Sequence, residues 1–235
     1  MGGELPDDIG RDLGANLSML YLSVNKFNGT IPVSLSRLQN LRLLALDKNL
    51  FIGSIPVEIW SLKKLQWLDV SELGKYSLGL SDVDVHDNKL TGTIQEWLCA
   101  GGHLESLSAW SNRLNGSIPI GLANCASLME LSLDNNQLSG EVPKALWTAG
   151  KHVFVHLRNN TLTGSLPAML SNNLHELDIG NNQFIGRIPA VALGLVHFIA
   201  DNNQFSGEIP PHIDYGMSLL QHLNLANNKL YGNIG

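Results

Sequence analysis

The chain has 235 residues, 44% of them hydrophobic and only 15% charged, with a formal net charge of −6. Globular chains average about 25% charged residues, so a disordered, highly charged tail is excluded, and the acidic balance without Lys/Arg clusters leaves no footprint for nucleic acid. No run approaches the roughly 18 consecutive apolar residues of a membrane span, and Met1-Gly2-Gly3-Glu4 does not open a signal peptide.

Residues 1–16 read as a partial repeat: a Gly3-Glu4-Leu5-Pro6 tail and Asp7-Asp8-Ile9-Gly10, without the strand that should precede them. Asparagine then recurs at Asn25, Asn49, Asn88, Asn112, Asn136, Asn160, Asn182, Asn203 and Asn228, mostly 24 residues apart. Each closes one frame. Leu41, Leu44, Leu46 and Asn49 define it, and Leu104, Leu107, Ala109, Asn112 and Leu128, Leu131, Leu133, Asn136 repeat it. This L-x-x-L-x-L-x-x-N pattern is that of leucine-rich repeats.

The L-x-L segment alternates in and out, which predicts a short strand with one buried face. Leu44, Leu46, Leu131, Leu133, Leu177 and Leu223 are therefore expected in the core. The nine Asn amides carry both donor and acceptor, and stacking would place them in a structural ladder that satisfies backbone groups where each coil turns away. Next comes Leu or Phe, then a Gly such as Gly53, Gly116 or Gly140, suited to a turn closed to residues with a β-carbon. Pro32, Pro56, Pro119, Pro143, Pro167, Pro189 and Pro210 follow, and a proline that cannot donate to a ladder fits the convex return path. No coil buries its own leucines. The whole chain, 1–235, is read as one α/β-type solenoid, a right-handed superhelix of about ten repeats with a concave parallel β-sheet and no caps.

The frame breaks once inside the chain. Leu65-Gln66-Trp67-Leu68-Asp69-Val70-Ser71 is a good strand, but Glu72-Leu73-Gly74-Lys75 follows without the Asn, Gly and Ile-Pro of a full turn. A shortened, strained repeat is expected at 65–79, and Ser71–Gly79 should be the weakest part of the array. The frame also stops short at its far end, so 220–235 reads as a truncated repeat. Cys99 and Cys125 fall in successive repeats. Cys125 takes an inward slot where a small buried hydrophobe fits; a disulfide would need the two α-carbons within about 7 Å. Both readings stay open.

Residues between the buried leucines should point into the concave face. In the middle of that face Asp69, Asp82, Asp84, Asp87, Glu105, Glu130 and Asp134 surround Trp110. Clustered like charge on a curved wall attracts a basic ligand, and an exposed indole offers the flat apolar area of a peptide anchor. The candidate ligand-binding residues are Asp69, Asp84, His86, Ser108, Trp110, Glu130, Ser132, Asp134, His156, Arg158 and Asp178. The competing reading is a solvated acidic face without a ligand. Asp82-Val83-Asp84-Val85-His86-Asp87 lacks the Gly and the downstream Glu of a calcium loop, and Cys99 with His103 falls short of four zinc ligands. No metal or other cofactor is expected. Nor is catalysis: a shallow open groove does not give paired carboxylates different environments, and no nucleophile elbow is present. Asn16, Asn28, Asn115 and Asn159 each open an Asn-x-Ser/Thr glycosylation motif.

The full L-x-x-L-x-L-x-x-N-x-L-x-G-x-I-P form resembles the plant-specific leucine-rich repeat over essentially the whole chain. Leu98-Cys99-Ala100-Gly101-Gly102, Leu107-Ser108-Ala109-Trp110-Ser111-Asn112 and Leu138-Ser139-Gly140-Glu141-Val142-Pro143 through Trp147 resemble HAESA-like receptor kinases more narrowly. That resemblance implies an ectodomain that binds a secreted peptide on its inner surface and recruits a co-receptor ectodomain, outside a membrane span and a kinase that this chain does not contain. It also implies a place on the extracellular face of the plasma membrane, as part of a longer parent protein. In HAESA-like receptors an Arg-x-Arg pair after a Cys-x-Ser-Leu segment holds the peptide's terminal carboxylate. Here Cys125-Ala126-Ser127-Leu128 is followed by Glu130 and Ser132 at those positions, leaving Arg158 and His156 as the nearby cationic candidates. Peptides with a free C-terminus should bind weakly. The alternatives are a polygalacturonase-inhibitor-type or receptor-like protein that binds a pathogen enzyme, and a gene fragment without function.

Overall fold

The computed structural model describes residues 2–54, 56, 58–59, 62, 64–65, 67–69 (backbone only), 81–96, 98–148 and 151–232. Ten short strands form one parallel sheet. In chain order they are β1 (Met19–Tyr21), β2 (Leu43–Ala45), β3 (Trp67–Asp69), β4 (Asp82–Asp84) and β5 (Ser106–Ser108). The second half supplies β6 (Glu130–Ser132), β7 (Phe154–His156), β8 (Glu176–Asp178), β9 (His197–Ile199) and β10 (His222–Asn224). Each pairs with its neighbours in sequence, and the register aligns Leu20, Leu44, Leu68, Val83, Leu107, Leu131, Val155, Leu177, Phe198 and Leu223 in one column. The prolines sit on the return path, where Pro32 and Pro119 lead with φ −68° and −73° into short helices at Val33–Arg37 and Ile120–Ala123.

Leu44, Leu46, Leu131, Leu133 and Leu177 are buried, each at most 1% exposed. Leu223 is not: it is 39% exposed, because β10 ends the sheet and no described coil covers its far side. The segments after the ladder asparagines do more than turn. Ile52–Gly53, Lys89–Thr93, Arg113–Gly116, Gln137–Glu141 and Thr161–Thr163 pair into a second, five-stranded parallel sheet on the flank. Ile185–Gly186, Gln204–Glu208 and Lys229–Tyr231 form a three-stranded one. Their glycines still have positive φ, 76° at Gly116 and 82° at Gly140, so the bend expected there is made within the strand.

The ladder is fully drawn at Asn160. Its Nδ2 donates to the carbonyls of Leu133, Leu157 and Arg158 at 3.0, 3.1 and 3.3 Å, and its Oδ1 accepts the Leu138 N–H at 2.9 Å. Asn49, Asn112, Asn136, Asn182, Asn203 and Asn228 repeat this arrangement one coil apart. Asn25, in the first coil, donates to the Leu22 and Ser23 carbonyls of that coil, and Asn88 departs from the pattern in another way. Its Nδ2 reaches back to the Leu46 carbonyl at 3.4 Å, and its buried Oδ1 has no partner among the described residues. The cause lies in the shortened repeat. On the concave side β3 stands between β2 and β4, yet on the flank Ile52–Gly53 pairs directly with Lys89–Thr93, and the Lys48 N–H donates to the His86 carbonyl. β3 is thus a wedge that adds a strand without adding a rung. Most of the strained repeat expected at 65–79 lies outside the described residues, as does the weak point at Ser71–Gly79.

A second row of amides is invisible in the leucine frame. The residue before each ladder Asn has positive φ, between 51° and 55°, from Val24 to Asn227. Asparagine tolerates that conformation better than most residues, and five of these positions are Asn. Asn159 donates to Asn135 and Asn181 to Asn159, both at 2.6 Å, and Asn227 to Asn202 at 2.8 Å. Val24, with φ 55° and 71% exposure, is the β-branched misfit. Val24→Asn is expected to stabilise the chain by about 1 kcal/mol, the lower end of the strain carried by such residues. A urea titration that shows no rise in midpoint would refute this.

Candidate functional site

The sheet register places Asp84, Ser108, Ser132, His156 and Asp178 in one row across the concave face. Beside it runs a second row, His86, Trp110, Asp134, Arg158, Gly180 and Asp201. The first cluster is Asp84, His86 and Trp110. His86 Nδ1 lies 2.5 Å from Asp84 Oδ1, and the imidazole stacks on the indole with centroids 4.3 Å apart and planes 14° from parallel. Trp110 is therefore half-buried with one face covered, rather than a free-standing indole.

The second cluster is a closed ion-pair network. Arg158 makes a two-pronged bond to Asp201, Nη1–Oδ1 2.9 Å and Nη2–Oδ2 2.8 Å, and Nη1 also lies 3.3 Å from Asp178 Oδ1. To reach Asp201 the guanidinium crosses Gly180, where a β-carbon would collide with Nη1. The bond from Arg158 depresses the Asp201 carboxyl, and that from Asp201 raises the guanidinium above its usual range. Arg158 is therefore no free cation for a peptide carboxylate, contrary to the sequence expectation. His156 Nε2 lies 3.2 Å from Glu176 Oε1 without an aligned hydrogen bond, and His197 Nδ1 lies 3.4 Å from Glu176 Oε2. Ser132 is only 5% exposed, with its hydroxyl 3.4 Å from His156 Nδ1, so an arginine at that position would have to displace the imidazole.

Asp134 lies between the clusters. Its Oδ1 accepts the Arg158 N–H at 2.8 Å. Burial pushes its carboxyl up to about 6, opposed first by the nearby His156 and then by that N–H. Glu130 is exposed on β6, between Ser106 and Phe154, with no ion pair among the described residues. The backbone places Asp69 opposite Ala45 on β2; its side chain lies outside the described residues. Among the described residues, no group of three His, Cys, Asp or Glu is arranged to hold a metal ion.

A family model described as Leucine Rich Repeat matches residues 16–38, 103–125, 127–149 and 173–192. These matches and the stacked parallel coils identify the fold as a leucine-rich-repeat solenoid. No curated protein sequence matches it. Among solved structures it resembles a TDR receptor (30% identity, TM-score 0.83), covering 97% of this chain and 42% of that one. It is also similar to the Arabidopsis receptor kinase HAESA, solved with the peptide hormone IDA and the co-receptor SERK1 (29% identity, TM-score 0.68, 97% and 44%). A plant ice-binding protein shares the fold as well (26% identity, TM-score 0.76, 99% and 71%). The chain thus spans less than half the length of these two receptor chains.

Within the leucine-rich-repeat solenoid, Cys99 and Cys125 form a disulfide between adjacent coils, with α-carbons 5.7 Å apart. Cys125 is buried as expected but bonded rather than free. Asn16, Asn28 and Asn115 are exposed; Asn159 is exposed too, but its amide is a rung of the second ladder. His152 was not singled out from the sequence, although the frame contained the signal: it stands in the column of Leu104 and Leu128. It is 1% exposed, and neither ring nitrogen has a partner among the described residues. Burial holds its pKa below 6.5, so the unfolded chain takes up the proton first and stability falls as pH drops through that range. His152→Leu is expected to raise the melting temperature, and by more near pH 5 than near pH 8. Equal gains at both would contradict the burial argument.

Proposed function

We propose that the concave sheet recognises a secreted peptide or protein ligand, as part of a longer receptor ectodomain on the extracellular face of the plasma membrane. A co-receptor ectodomain is a further partner on this reading. The observation that carries it is the unused band on β4–β6. The clusters toward β8 and β9 are closed on themselves, whereas Glu105, Glu130 and Asp134 have no ion-pair partner among the described residues, and the half-buried Trp110 has a ring stacked on it from the His86 side alone among them. Acidic groups on a curved wall favour a cationic ligand. HAESA and its peptide hormone provide the parallel, and the disulfide and exposed glycosylation motifs suit an oxidising, secretory location.

Arg158, engaged by Asp178 and Asp201, is not free to meet a terminal carboxylate. Calorimetry on the glycosylated chain with synthetic secreted peptides, basic and acidic, free and amidated at the C-terminus, tests the reading. Basic peptides should bind, more weakly as salt rises, and amidation should not weaken them. Preference for acidic peptides, or tight binding of a polygalacturonase alone, would overturn it.

A further inference from the structure

Four carboxylates of the concave face already have partners: Asp84 faces His86, Glu176 faces His156 and His197, and Asp178 and Asp201 face Arg158. Asp134, at the centre, has no cationic side chain within ion-pair distance among the described residues and accepts only main-chain hydrogen. The reason is specific. Its neighbour in the row, Arg158, leans away over the bare α-carbon of Gly180 toward Asp201. On the other side stands Trp110. The His86 ring covers one indole face, and because the row runs His86, Trp110, Asp134, the opposite face is turned toward the coil of Asp134. An indole reaches farther from a strand than a carboxylate does. The gap between the two is a notch one coil wide, bounded by the Trp110 indole and the Asp134 carboxylate, with Ser108 in the adjoining row.

Resting on the peptide-binding reading above, we propose that this notch takes an arginine side chain of the ligand, its guanidinium stacked on Trp110 and paired with Asp134. A planar guanidinium matches both surfaces at once, which an ammonium does not. Partial burial of Asp134 supports the assignment: burial holds the carboxyl up to about 6 against the opposing pull of His156, and an arriving cation offsets that cost.

The test uses the full chain labelled with 5-fluorotryptophan, the Trp110 fluorine resonance being assigned by its loss in Trp110→Phe. The probes are acetyl-Gly-Arg-Gly-amide and its lysine and citrulline counterparts. The arginine peptide should shift the Trp110 resonance saturably, the lysine peptide more weakly, and the uncharged citrulline peptide not at all. Asp134→Asn should weaken the arginine peptide about tenfold or more, as loss of a charged partner does. Gly180→Ala, which drives the Arg158 guanidinium back toward Asp134, should also abolish the shift. Equal shifts with citrulline, or unchanged affinity in Asp134→Asn by calorimetry on unlabelled protein, would overturn the proposal. If a longer basic peptide binds without moving Trp110, the notch fails while the concave-face reading stands. If no peptide longer than the probe binds at all, the concave-face reading fails even though the arginine shift is seen.

Discussion

Asn160→Ala should destabilise the solenoid by about 3–4 kcal/mol, since each buried group left unsatisfied costs about 1–3 kcal/mol. Asn160 is 8% exposed, and its side chain serves three carbonyls and one N–H across two coils. Alanine leaves the Leu138 N–H without an acceptor inside the array. At about 2–4 °C per kcal/mol for a chain of this size, the melting temperature should fall by roughly 10 °C. Its neighbour Asn159 makes only exposed amide bonds to Asn135 and Asn181, so Asn159→Ala should cost less than about 1 kcal/mol. Thermal unfolding of the two variants side by side separates the buried ladder from the exposed one. Equal losses would mean that the buried ladder has no special weight.

Phe184→Ala should cost about 3–5 kcal/mol, the range for a buried aromatic cut to alanine. Phe184 is fully buried, meets Trp147 edge-on with centroids 6.2 Å apart, and stacks with Phe205 at 6.3 Å. The three rings form a spine through the C-terminal half, so the cavity would be shared between coils. Phe184→Leu restores the residue most repeats place there and should cost less than about 1.5 kcal/mol. Chemical denaturation gives both values. A leucine variant as unstable as the alanine one would show that the site is built for the aromatic ring alone.

What the sequence made legible was set by period. The ten-stranded sheet, the buried leucines and the Asn ladder each follow from one residue type recurring in one frame, because every coil must satisfy the same neighbours. The site is different in kind. Arg158 reaches Asp201, 43 residues away, only because Gly180 between them has no β-carbon, and no periodic rule contains that coincidence. The stacking of His86 on Trp110 likewise depends on two unlike residues in one row. The flank sheets were hidden for another reason: glycine in the N-x-L-x-G segment signals a bend, and the chain bends while still pairing. The wedge at β3 was half legible. The missing Asn and Gly announced a lost turn, but not that the flank would close directly from Ile52 to Lys89.

The claim that matters most is that the concave strands, and not the flank sheets, carry recognition. Hydrogen exchange of the glycosylated chain with and without a bound basic peptide measures this directly. Slower exchange concentrated in β4, β5 and β6, around Trp110 and Asp134, is the expected result. Protection confined to the flank strands Lys89–Thr93, Arg113–Gly116 and Gln137–Glu141, with the concave strands unchanged, would contradict it.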